Sequence, residues 1–518
     1  MLRQHYPLGD YYQILQKNGL LASPAPLRAD LTRSVRMVSC DSQTVVPGTV
    51  FICKGAAFKA AYLLDAAAKG AFVYVSERVY PETTLPCLLV NDIRRAMALM
   101  ADHAWGHPSG KLDIVGITGT KGKTTTAYYL KSILDEEARS RGRRETAILS
   151  TIVTDDGRER RPAKLTTPEP LDLQRHLFNA VDARVGRLTM EVSSQALKYH
   201  RVLGVEFSVG VFLNIGEDHI SPVEHPDFED YFSSKLTLFS RCRTAVVNLD
   251  CDHADRVLEA ARVCPEVISF SRRDENADVF AGCIRKEENA TIFRVRTPRW
   301  ERELRLPMPG LFNVENALAA VAAAEALGVG EAAVYNGLAF ATVPGRMETY
   351  HSASGGLTVI VDYAHNGMSL EAILSSVRRE YPDRELTVVF GCTGGKGLDR
   401  REGMAAAAGR WADRIILTED DPGPEEVVDI CADIGRYLAP CGKDYTVIPD
   451  REEAVETAVM EVRRPSVVIL AGKGAEQQQK RKNGPEPCVP DGMLAQKALA
   501  RFDANLAVFN CFPLLGQP

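Results

Sequence analysis

A glycine-rich run that could bind phosphate is the strongest chemical signal in the chain. The run, Gly119-Thr-Lys-Gly-Lys-Thr-Thr-Thr126, follows the apolar strand signal Leu112–Ile117 and precedes a helix signal. A turn of this kind exposes backbone N–H groups and a helix N-terminus to phosphate oxygens. Lys123 is then expected at the β- and γ-phosphates, and the Thr124 hydroxyl at a Mg²⁺ ion. Ile117 stands where a P-loop usually has its first glycine, so the run is a shortened variant of that loop. The competing interpretation is a glycine-rich turn with a solvated lysine.

Acidic residues and a histidine follow the next strand signals. Glu191 ends one of them, and Asp218 and His219 follow another. Ligands of open α/β sheets bind beyond the carboxyl ends of the strands, so Glu191 is placed to ligate a metal beside the P-loop. Each of these residues alone could also be an ordinary strand-end or turn residue. Lys235 lies inside an amphipathic helix signal, where a lysine is most often one that reaches solvent.

Three further loops follow strand signals in the last third of the chain. They are Val361-Asp-Tyr-Ala-His365, Gly391-Cys-Thr-Gly-Gly-Lys396 and Gly472-Lys-Gly474. Together at one sheet edge they would form a second ligand face. Each one singly would be only a turn.

The elements that must position these residues alternate between strands and helices. Strand signals lie at Thr49–Cys53, Ala71–Ser76, Cys87–Val90, Leu112–Ile117, Ala147–Thr151, Leu188–Val192, Phe207–Asn214, Ala245–Asn248, Thr358–Val361, Leu386–Phe390, Arg414–Leu417, Tyr445–Ile448 and Ser466–Leu470. Helix signals between them are typical of α/β domains with mostly parallel sheets. Residues 278–306 instead show short alternating runs, which predict an antiparallel patch. The pattern predicts three domains, at 1–108, 109–343 and 344–518.

Composition excludes several classes of protein. The chain has 518 residues, of which 45% are hydrophobic and 25% charged, as in an ordinary globular protein. With 62 basic and 68 acidic residues its net charge is -6, which argues against a general nucleic-acid binder. We expect no membrane span, because no apolar run approaches about 18 residues, and no secretory signal, because the N-terminal residues contain no apolar h-region. The 12 cysteines form no C-x-x-C pair, which argues against a zinc ribbon and favours reduced thiols in the cytoplasm.

Taken together and in chain order, these motifs resemble those of the Mur ligase family over essentially the whole chain. The matching pieces are Asp41-Ser42 with Pro47-Gly48, Gly119–Thr126, Thr166-Thr-Pro168, Met190–Ser194, Asn214 with Asp218-His219, Lys235, Phe312–Asn316, Pro344-Gly-Arg346, Asp362–His365 and Gly472-Lys-Gly474. Several motifs in the family's order are far more specific than any one of them.

The resemblance implies a three-domain fold. An N-terminal domain would hold the uridine end of the substrate, a central P-loop parallel sheet would bind ATP, and a C-terminal Rossmann-like domain would hold an amino acid.

The resemblance also implies the site residues. For ATP they are Gly119, Thr120, Lys121, Gly122, Lys123, Thr124, Thr125, Asn313, Asn316, Arg346 and Asp362. For two Mg²⁺ ions they are Thr124, Glu191, His219 and a carbamylated Lys235, with Lys123, Lys235 and His219 as the catalytic residues. For the UDP-linked substrate they are Ser42, Thr166, Thr167, Ser193 and Arg201. For the amino acid they are Lys396, Asp420, Asp421, Gly472 and Glu476.

The activity implied is that of an ATP-dependent amide ligase of peptidoglycan synthesis. It would add the third amino acid to UDP-N-acetylmuramoyl-L-alanyl-D-glutamate through an acyl phosphate, as a cytoplasmic monomer that binds no nucleic acid. Three positions depart from the family's usual residues: Gln195 replaces histidine, Glu217 replaces arginine and Ala475 replaces histidine. The P-loop, Glu191 and Lys235 are intact, so an active ligase is still expected.

One loop bears on which amino acid is added. It reads Asp420-Asp-Pro-Gly423, whereas diaminopimelate-adding members have Asp-Asn-Pro-Arg, whose arginine can pair with the extra carboxylate. Gly423 has no side chain and Asp421 adds negative charge, so we predict L-lysine. The alternative is a diaminopimelate-adding member in which another basic residue, such as Lys396, does the pairing.

Two rival functions come from related proteins. Folylpolyglutamate synthetase shares the ATP domain but lacks the N-terminal domain, and roughly 110 residues before the P-loop argue against it. A non-catalytic Mur-like partner of a glutamine amidotransferase would carry a cysteine zinc ribbon, and the cysteine spacing of this chain does not suit one.

Overall fold

The computed structural model describes residues 5–22, 29–55, 57–217, 220–221, 224–287, 290–308, 310–395 and 397–510. The chain forms two compact units. The first comprises Met1–Ile284, Phe293–Arg305 and Glu315–Phe340, and the second comprises Arg285–Ile292, Leu306–Val314 and Ala341–Pro518. Among the helices described, none combines the length and the apolar character needed to span a bilayer.

The first unit begins with a small parallel sheet. Its strands, in spatial order, are β1 (Met37–Ser39), β2 (Thr49–Ile52), β3 (Ala71–Ser76) and β4 (Cys87–Leu89), and its helices are α1 (Leu8–Lys17), α2 (Ala60–Ala68) and α3 (Ile93–Ala104). All six residues of β3 are buried, as expected for a parallel strand that is covered on both faces. Alternate residues of β2 accordingly belong to different core clusters, with Val50 in one and Phe51 in the other.

A larger sheet of 11 strands follows in the chain. Its strands are β5 (Asp113–Thr118), β6 (Ala147–Leu149), β7 (Val153–Asp155), β8 (Arg160–Pro162), β9 (Arg187–Glu191), β10 (Phe207–Phe212), β11 (Cys242–Asn248), β12 (Glu266–Ser271), β13 (Val279–Glu287), β14 (Ala290–Arg296) and β15 (Glu301–Leu306). The helices of this region are α4 (Lys123–Ser140), α5 (Pro170–Asp182), α6 (Ser194–Lys198), α7 (Phe228–Leu236), α8 (Ala254–Ala261), α9 (Leu311–Ala326) and α10 (Glu331–Ala339). Short 3₁₀ turns cover Pro108–Lys111 and Thr237–Arg241.

The order of this sheet decides where its loops meet. The strands run β15-β14-β13-β12-β11-β10-β5-β9-β6-β7-β8, so that β5 lies between β9 and β10 and is parallel to both. In register, Ile117 of β5 lies opposite Glu191 of β9, and Thr118 lies opposite Phe212 of β10. The P-loop, Glu191 and the residues after β10 therefore share one edge of the sheet, although they are distant in sequence.

The second unit contains a six-stranded sheet and a hairpin. The strands are β16 (Glu348–His351), β17 (Leu357–Asp362), β18 (Glu385–Phe390), β19 (Arg414–Leu417), β20 (Tyr445–Val447) and β21 (Ser466–Ala471), in the order β16-β17-β21-β18-β19-β20, and β22 (Gln478–Arg481) pairs with β23 (Gly484–Pro487). The helices are α11 (Gly367–Glu380), α12 (Asp399–Trp411), α13 (Val427–Leu438), α14 (Arg451–Met460) and α15 (Asp491–Asn510), with a 3₁₀ turn at Ala439–Cys441. As far as the structure describes the six-stranded sheet, only its β16 is antiparallel to its neighbour, and the β22–β23 hairpin is antiparallel as well.

The α/β class and every predicted strand are confirmed, with ends that shift by a few residues. The patch predicted at residues 278–306 is the region of β13, β14 and β15, which lie side by side. The sequence patterns did not predict α1, β1, the β7–β8 pair, β12, β16 or the β22–β23 hairpin. Apart from the six-residue β12, these strands contain only three or four residues each, too few for a period to be recognised.

Candidate active site

The loop between β5 and α4 has the form that its glycines predicted. Gly122 has a φ of 85° and stands at the N-cap of α4, in the left-handed region that favours glycine. A Cβ atom at Gly122 would overlap the side-chain oxygen of Asn316 on α9. The structure thus places Asn316, a predicted ATP-binding residue, directly against the loop.

Lys123 folds back over this loop. Its Nζ donates to the carbonyl oxygens of Gly119 at 2.8 Å and Thr120 at 3.1 Å. Asn214, which follows β10, fixes the middle of the loop: it accepts from the N–H of Lys121 at 2.9 Å and donates to the carbonyl oxygen of Lys121 at 3.2 Å. The ammonium group of Lys123 therefore lies at the loop whose N–H groups could bind phosphate.

Thr124 and Glu191 form the centre of the site. Thr124 Oγ1 donates to Glu191 Oε1 at 2.9 Å, and Glu191 is 1% exposed. Thr151 also donates to this carboxylate, from its N–H at 2.7 Å and from its hydroxyl at 3.2 Å. A hydroxyl and a carboxylate, both hard oxygen ligands and both beside the loop, fit the Mg²⁺ site expected here.

Lys235 is not the solvent-reaching lysine that its helix pattern favoured. It is 1% exposed, its Nζ donates to the Gly119 carbonyl at 3.0 Å, and its Nζ lies 4.6 Å from the centre of the Tyr231 ring. The Tyr231 hydroxyl is in turn 3.1 Å from Thr120 Oγ1. The interpretation from the helix pattern alone was wrong because Lys235 lies against Tyr231, one turn earlier on α7, and Tyr231 contacts Thr120 of the P-loop.

Helix α7 is held in place by a buried histidine. His225 Nδ1 is 2.6 Å from Asp230 Oδ2, and His225 Nε2 is 3.0 Å from the Ser194 hydroxyl of α6. The predicted ligands Asp218 and His219, which precede α7, lie outside the described residues. Glu217, the second departure from the family pattern, is exposed.

The residues predicted for the UDP-linked substrate mostly cluster beside Glu191. Thr167 Oγ1 donates to the Glu191 carbonyl at 2.9 Å and accepts from the N–H of Ser193 at 3.0 Å. Arg201 Nη1 donates to the Thr167 carbonyl at 3.2 Å, and Thr166 is reached by the Thr151 hydroxyl at 3.3 Å.

Ser42 is placed apart from that cluster. It is a buried residue in the loop after β1, and its carbonyl oxygen accepts from Lys69 Nζ at 3.1 Å. On α6, whose N-cap is Ser193, Gln195 Nε2 donates to Glu224 Oε1 at 2.9 Å, so the first departure from the family pattern makes a contact within the protein.

In the second unit, Asp362 and Arg346 lie together. Asp362 Oδ2 accepts from the N–H of Met347 at 2.9 Å. Desolvation raises the pKa of the Asp362 carboxyl, and the Arg346 guanidinium opposes that shift. Arg346 stacks 4.5 Å from the centre of the Tyr363 ring, whose hydroxyl donates to Glu476 Oε1 at 2.9 Å. Asn313, at the start of α9, is buried.

The loop after β21 is built around Lys473, the middle residue of the predicted Gly472-Lys-Gly474 loop, to which the sequence assigned no role of its own. Its Nζ lies 2.9 Å from Asp421 Oδ1 and 2.8 Å from Glu476 Oε2. Burial alone would lower the pKa of Lys473, but Glu476 and Asp420 raise it, so the ammonium is retained. Lys480 Nζ is 2.7 Å from Asp421 Oδ2. The charge of Asp421, predicted to attract a substrate ammonium, is already balanced by two lysines.

Asp420 differs from its neighbour Asp421. It is 5% exposed, and a Cβ atom at Gly472 would overlap its Oδ2. Burial raises the pKa of Asp420 to about 7, although Arg451 and Lys473 oppose the shift. Gly423 has a φ of 58° and its N–H donates to the Lys480 carbonyl, and Lys396 lies outside the described residues.

A second group of metal-ligating side chains is engaged within the protein. Asp156, Glu159 and His176 are close enough to share an ion. However, His176 Nδ1 is 2.7 Å from Asp156, Arg161 is 3.1 Å from His176 Nε2, and Arg175 pairs with Glu159. This group is an ion-pair network that ties α5 to the β7–β8 pair.

Comparison with known proteins finds relatives over most of the chain. Residues 117–324 match the model of the Mur ligase middle domain, and residues 345–474 match that of the Mur ligase glutamate ligase domain. The chain is 39% identical over 472 residues to a UDP-N-acetylmuramoyl-L-alanyl-D-glutamate–L-lysine ligase of Enterococcus faecalis, covering 90% of this chain and 91% of that protein. It is 37% identical over 511 residues to a UDP-N-acetylmuramyl-tripeptide synthetase of Lactobacillus delbrueckii subsp. bulgaricus, covering 95% of this chain and 98% of that protein.

A solved structure shares the architecture. That of a UDP-N-acetylmuramoyl-L-alanyl-D-glutamate–2,6-diaminopimelate ligase superposes with a TM-score of 0.67 at 25% identity, covering 97% of this chain and 100% of that one.

Proposed function

We infer the function from one premise: this chain belongs to the Mur ligase family. We propose that it is an ATP-dependent ligase that joins L-lysine to UDP-N-acetylmuramoyl-L-alanyl-D-glutamate in peptidoglycan synthesis. The observation that carries the proposal is the grouping of Lys123, Thr124, Glu191 and Lys235 at one loop. Relatives that match nine-tenths of the chain at 39% identity are named for this reaction.

The reaction would proceed in two steps. The terminal carboxylate of the UDP-linked substrate attacks the γ-phosphorus of ATP, and an acyl phosphate and ADP result. The amine of lysine then attacks the acyl carbon, loses a proton and releases phosphate. Lys123 stabilises the charge that develops on the transferred phosphoryl group, because its Nζ is held at the P-loop by the Gly119 and Thr120 carbonyls.

The nucleotide would be bound chiefly by the loop. Backbone N–H groups from Gly119 to Thr125 bind its phosphates, and Asn316, which lies against Gly122, contacts the adenine. Asn313, Arg346 and Asp362 remain predictions as further ATP contacts.

Thr124 and Glu191 would hold one Mg²⁺ ion. A bound Mg²⁺ supplies charge neutralisation to the phosphates. Lys235, as a carbamate, and His219 would hold the second. The carbamate would form when the neutral Lys235 amine adds to carbon dioxide and loses a proton. Burial of Lys235 beside Gly119 supports this role, since it places the end of the side chain at the P-loop, where the ions are expected.

The UDP-linked substrate would lie along Thr166, Thr167, Ser193 and Arg201. These four residues adjoin Glu191, so the carboxylate to be activated would be close to the transferred phosphoryl group. Ser42 would contact the uridine end.

For the amino acid, Asp420 and Glu476 are the carboxylates we assign to the lysine ammonium groups, with Glu476 shared between the substrate and its contacts to Lys473 and Tyr363. Asp421 instead maintains the loop through Lys473 and Lys480. Gly423 offers no cation for a second carboxylate, which favours lysine over diaminopimelate. Lys396 remains a prediction for the α-carboxylate.

We further propose that the protein works in the cytoplasm as a monomer. The 11 described cysteines are all free thiols, as is usual in a reducing compartment.

Relatives of this chain match its N-terminal sheet as well as its ATP domain, which favours the UDP-linked substrate over a folate.

The decisive test is phosphate release by the purified protein. We expect release only when ATP, Mg²⁺, UDP-N-acetylmuramoyl-L-alanyl-D-glutamate and L-lysine are all present, together with a product heavier by one lysine residue. Release that requires a folate substrate instead would contradict the proposal.

A further inference from the structure

A carboxylate with two cationic partners lies between the N-terminal sheet and the Thr166-Thr167 loop. Glu169 follows that loop and stands at the N-cap of α5, but its side chain does not cap the helix. Lys54, two residues after β2, donates to Glu169 Oε2, and Arg201 Nε is 2.9 Å from Glu169 Oε1. Lys54 and Glu169 have no role in the ATP and lysine sites described above.

Within this contact group two cations face one carboxylate, so the three side chains by themselves carry one net positive charge. Asp41 and Asp172 are further acidic groups in this region, since both act on Cys40 together with Lys54 and Glu169. The side chains are largely enclosed, with 13% of Arg201 and 28% of Glu169 exposed, so screening by water is weak. The UDP-linked substrate carries a diphosphate and carboxylates, so the excess charge has the sign that suits it.

The contact between Arg201 and Glu169 is close but poorly aligned. Arg201 Nε is within ion-pair distance of Glu169, yet it makes no hydrogen bond of normal geometry. The aligned hydrogen bond of Arg201 is the one from Nη1 to the Thr167 carbonyl. The guanidinium is therefore anchored at Thr167 and is only loosely held by Glu169.

We propose that Lys54 is a positioning residue that lets Arg201 exchange Glu169 for an anionic group of the UDP-linked substrate. This inference rests on the proposed function. When Arg201 turns to the substrate, Lys54 remains on Glu169 and balances its charge. Without Lys54, the same movement would leave a largely enclosed carboxylate unpaired, which opposes binding.

Steady-state kinetics on the full-length protein tests this idea. We expect Lys54→Met to raise the KM for UDP-N-acetylmuramoyl-L-alanyl-D-glutamate about tenfold, which is about 1.4 kcal/mol. The kcat and the KM for ATP should stay within about twofold. Lys54→Arg should restore the KM. Lys59→Met is the matched control, because Lys59 is an exposed lysine at the start of α2, where it stands at the N-cap.

A double mutant separates positioning from simple structural support. In a Glu169→Gln background there is no carboxylate to balance, so Lys54→Met should have no further effect on that KM. An equal rise in that KM in both backgrounds would overturn the inference. A Lys54→Met protein with the same KM as Lys59→Met would also overturn it, and so would one that loses kcat, ATP affinity and Tm together. Calorimetry of UDP-linked substrate binding allows the same comparison between variants without measuring turnover. If the wild-type protein binds this substrate but releases no phosphate, the proposed function is contradicted while the inference about Lys54 is not.

Discussion

The hydroxyl oxygen of Thr124 lies 2.9 Å from a carboxylate oxygen of Glu191, although 67 positions separate the two residues in the chain. The contact exists because β5 and β9 are neighbouring parallel strands: Glu191 ends β9, and Thr124 lies in the first turn of α4, which follows the loop after β5. It turns a phosphate-binding loop into a site that can hold a nucleotide together with a divalent cation.

Replacing Lys123 should abolish ligation. Lys123→Ala removes the charge that stabilises the transferring phosphoryl group, so we expect kcat to fall by at least about 10³-fold. Phosphate release with all substrates is the measurement. The matched control is Lys17→Ala, an exposed lysine at the end of α1, which should retain normal activity. Near-normal ligation by Lys123→Ala would remove the basis of the P-loop assignment.

Glu191→Gln should weaken Mg²⁺ binding in a measurable way. The amide keeps the size of the side chain but loses the charge that a hard cation needs. We expect the Mg²⁺ concentration for half-maximal activity to rise at least about tenfold, with a lower kcat. A Mg²⁺ titration compares this variant with Glu206→Gln, an exposed site that should not change it. An unaltered titration curve for Glu191→Gln would contradict the metal assignment.

Carbamylation of Lys235 can be tested by chemical rescue. Lys235→Ala leaves a buried space beside Gly119, so small carboxylates such as formate should restore part of the lost activity. Lys235→Met fills that space and should not be rescued. Labelled carbon dioxide should also give a carbamate carbon signal in wild-type protein only. Equal activity of Lys235→Met and wild type would refute the role.

The amino acid can be identified by direct competition. We expect L-lysine to be ligated with a kcat/KM at least about 10²-fold above that of meso-diaminopimelate, because no arginine follows Asp421-Pro422 to pair with a second side-chain carboxylate. L-ornithine serves as the control for chain length and should fall between the two. A clear preference for diaminopimelate would show that the loop interpretation is wrong and would leave the ligase class intact.

Asp420 should make folding stability depend on pH. Burial raises its pKa from 3.8 to about 7, so the folded protein holds a proton that the unfolded chain releases. Its contribution to stability is therefore fully present below about pH 4 and is lost as the pH rises through about 7. We expect Asp420→Asn to raise Tm at pH 8 and to have little effect on Tm near pH 4.5, with lysine binding impaired.

The measurement is the Tm of thermal unfolding across this pH range. The control is Asp429→Asn, on the first turn of α13. A Tm difference that is constant with pH would show that Asp420 is ionised in the folded protein at all these values.

Much of this molecule follows from local sequence. Strands such as β3 and β21 are apolar at nearly every position, so both their existence and their burial on two faces could be predicted. The P-loop needed only its glycines, Lys123 and the flanking strand and helix signals. The family could be recognised because several such loops occur in a fixed order.

Tertiary structure decided how the charged side chains are paired. Lys235 is buried against Gly119, 116 positions away, and Asp421 is neutralised by Lys473, 52 positions away. Lys54 reaches Glu169 across 115 positions. Periodicity reports which face of an element an apolar residue occupies, because that depends on neighbours a few residues apart. The partner of a charge depends on which strands lie side by side, and only the folded sheet determines that.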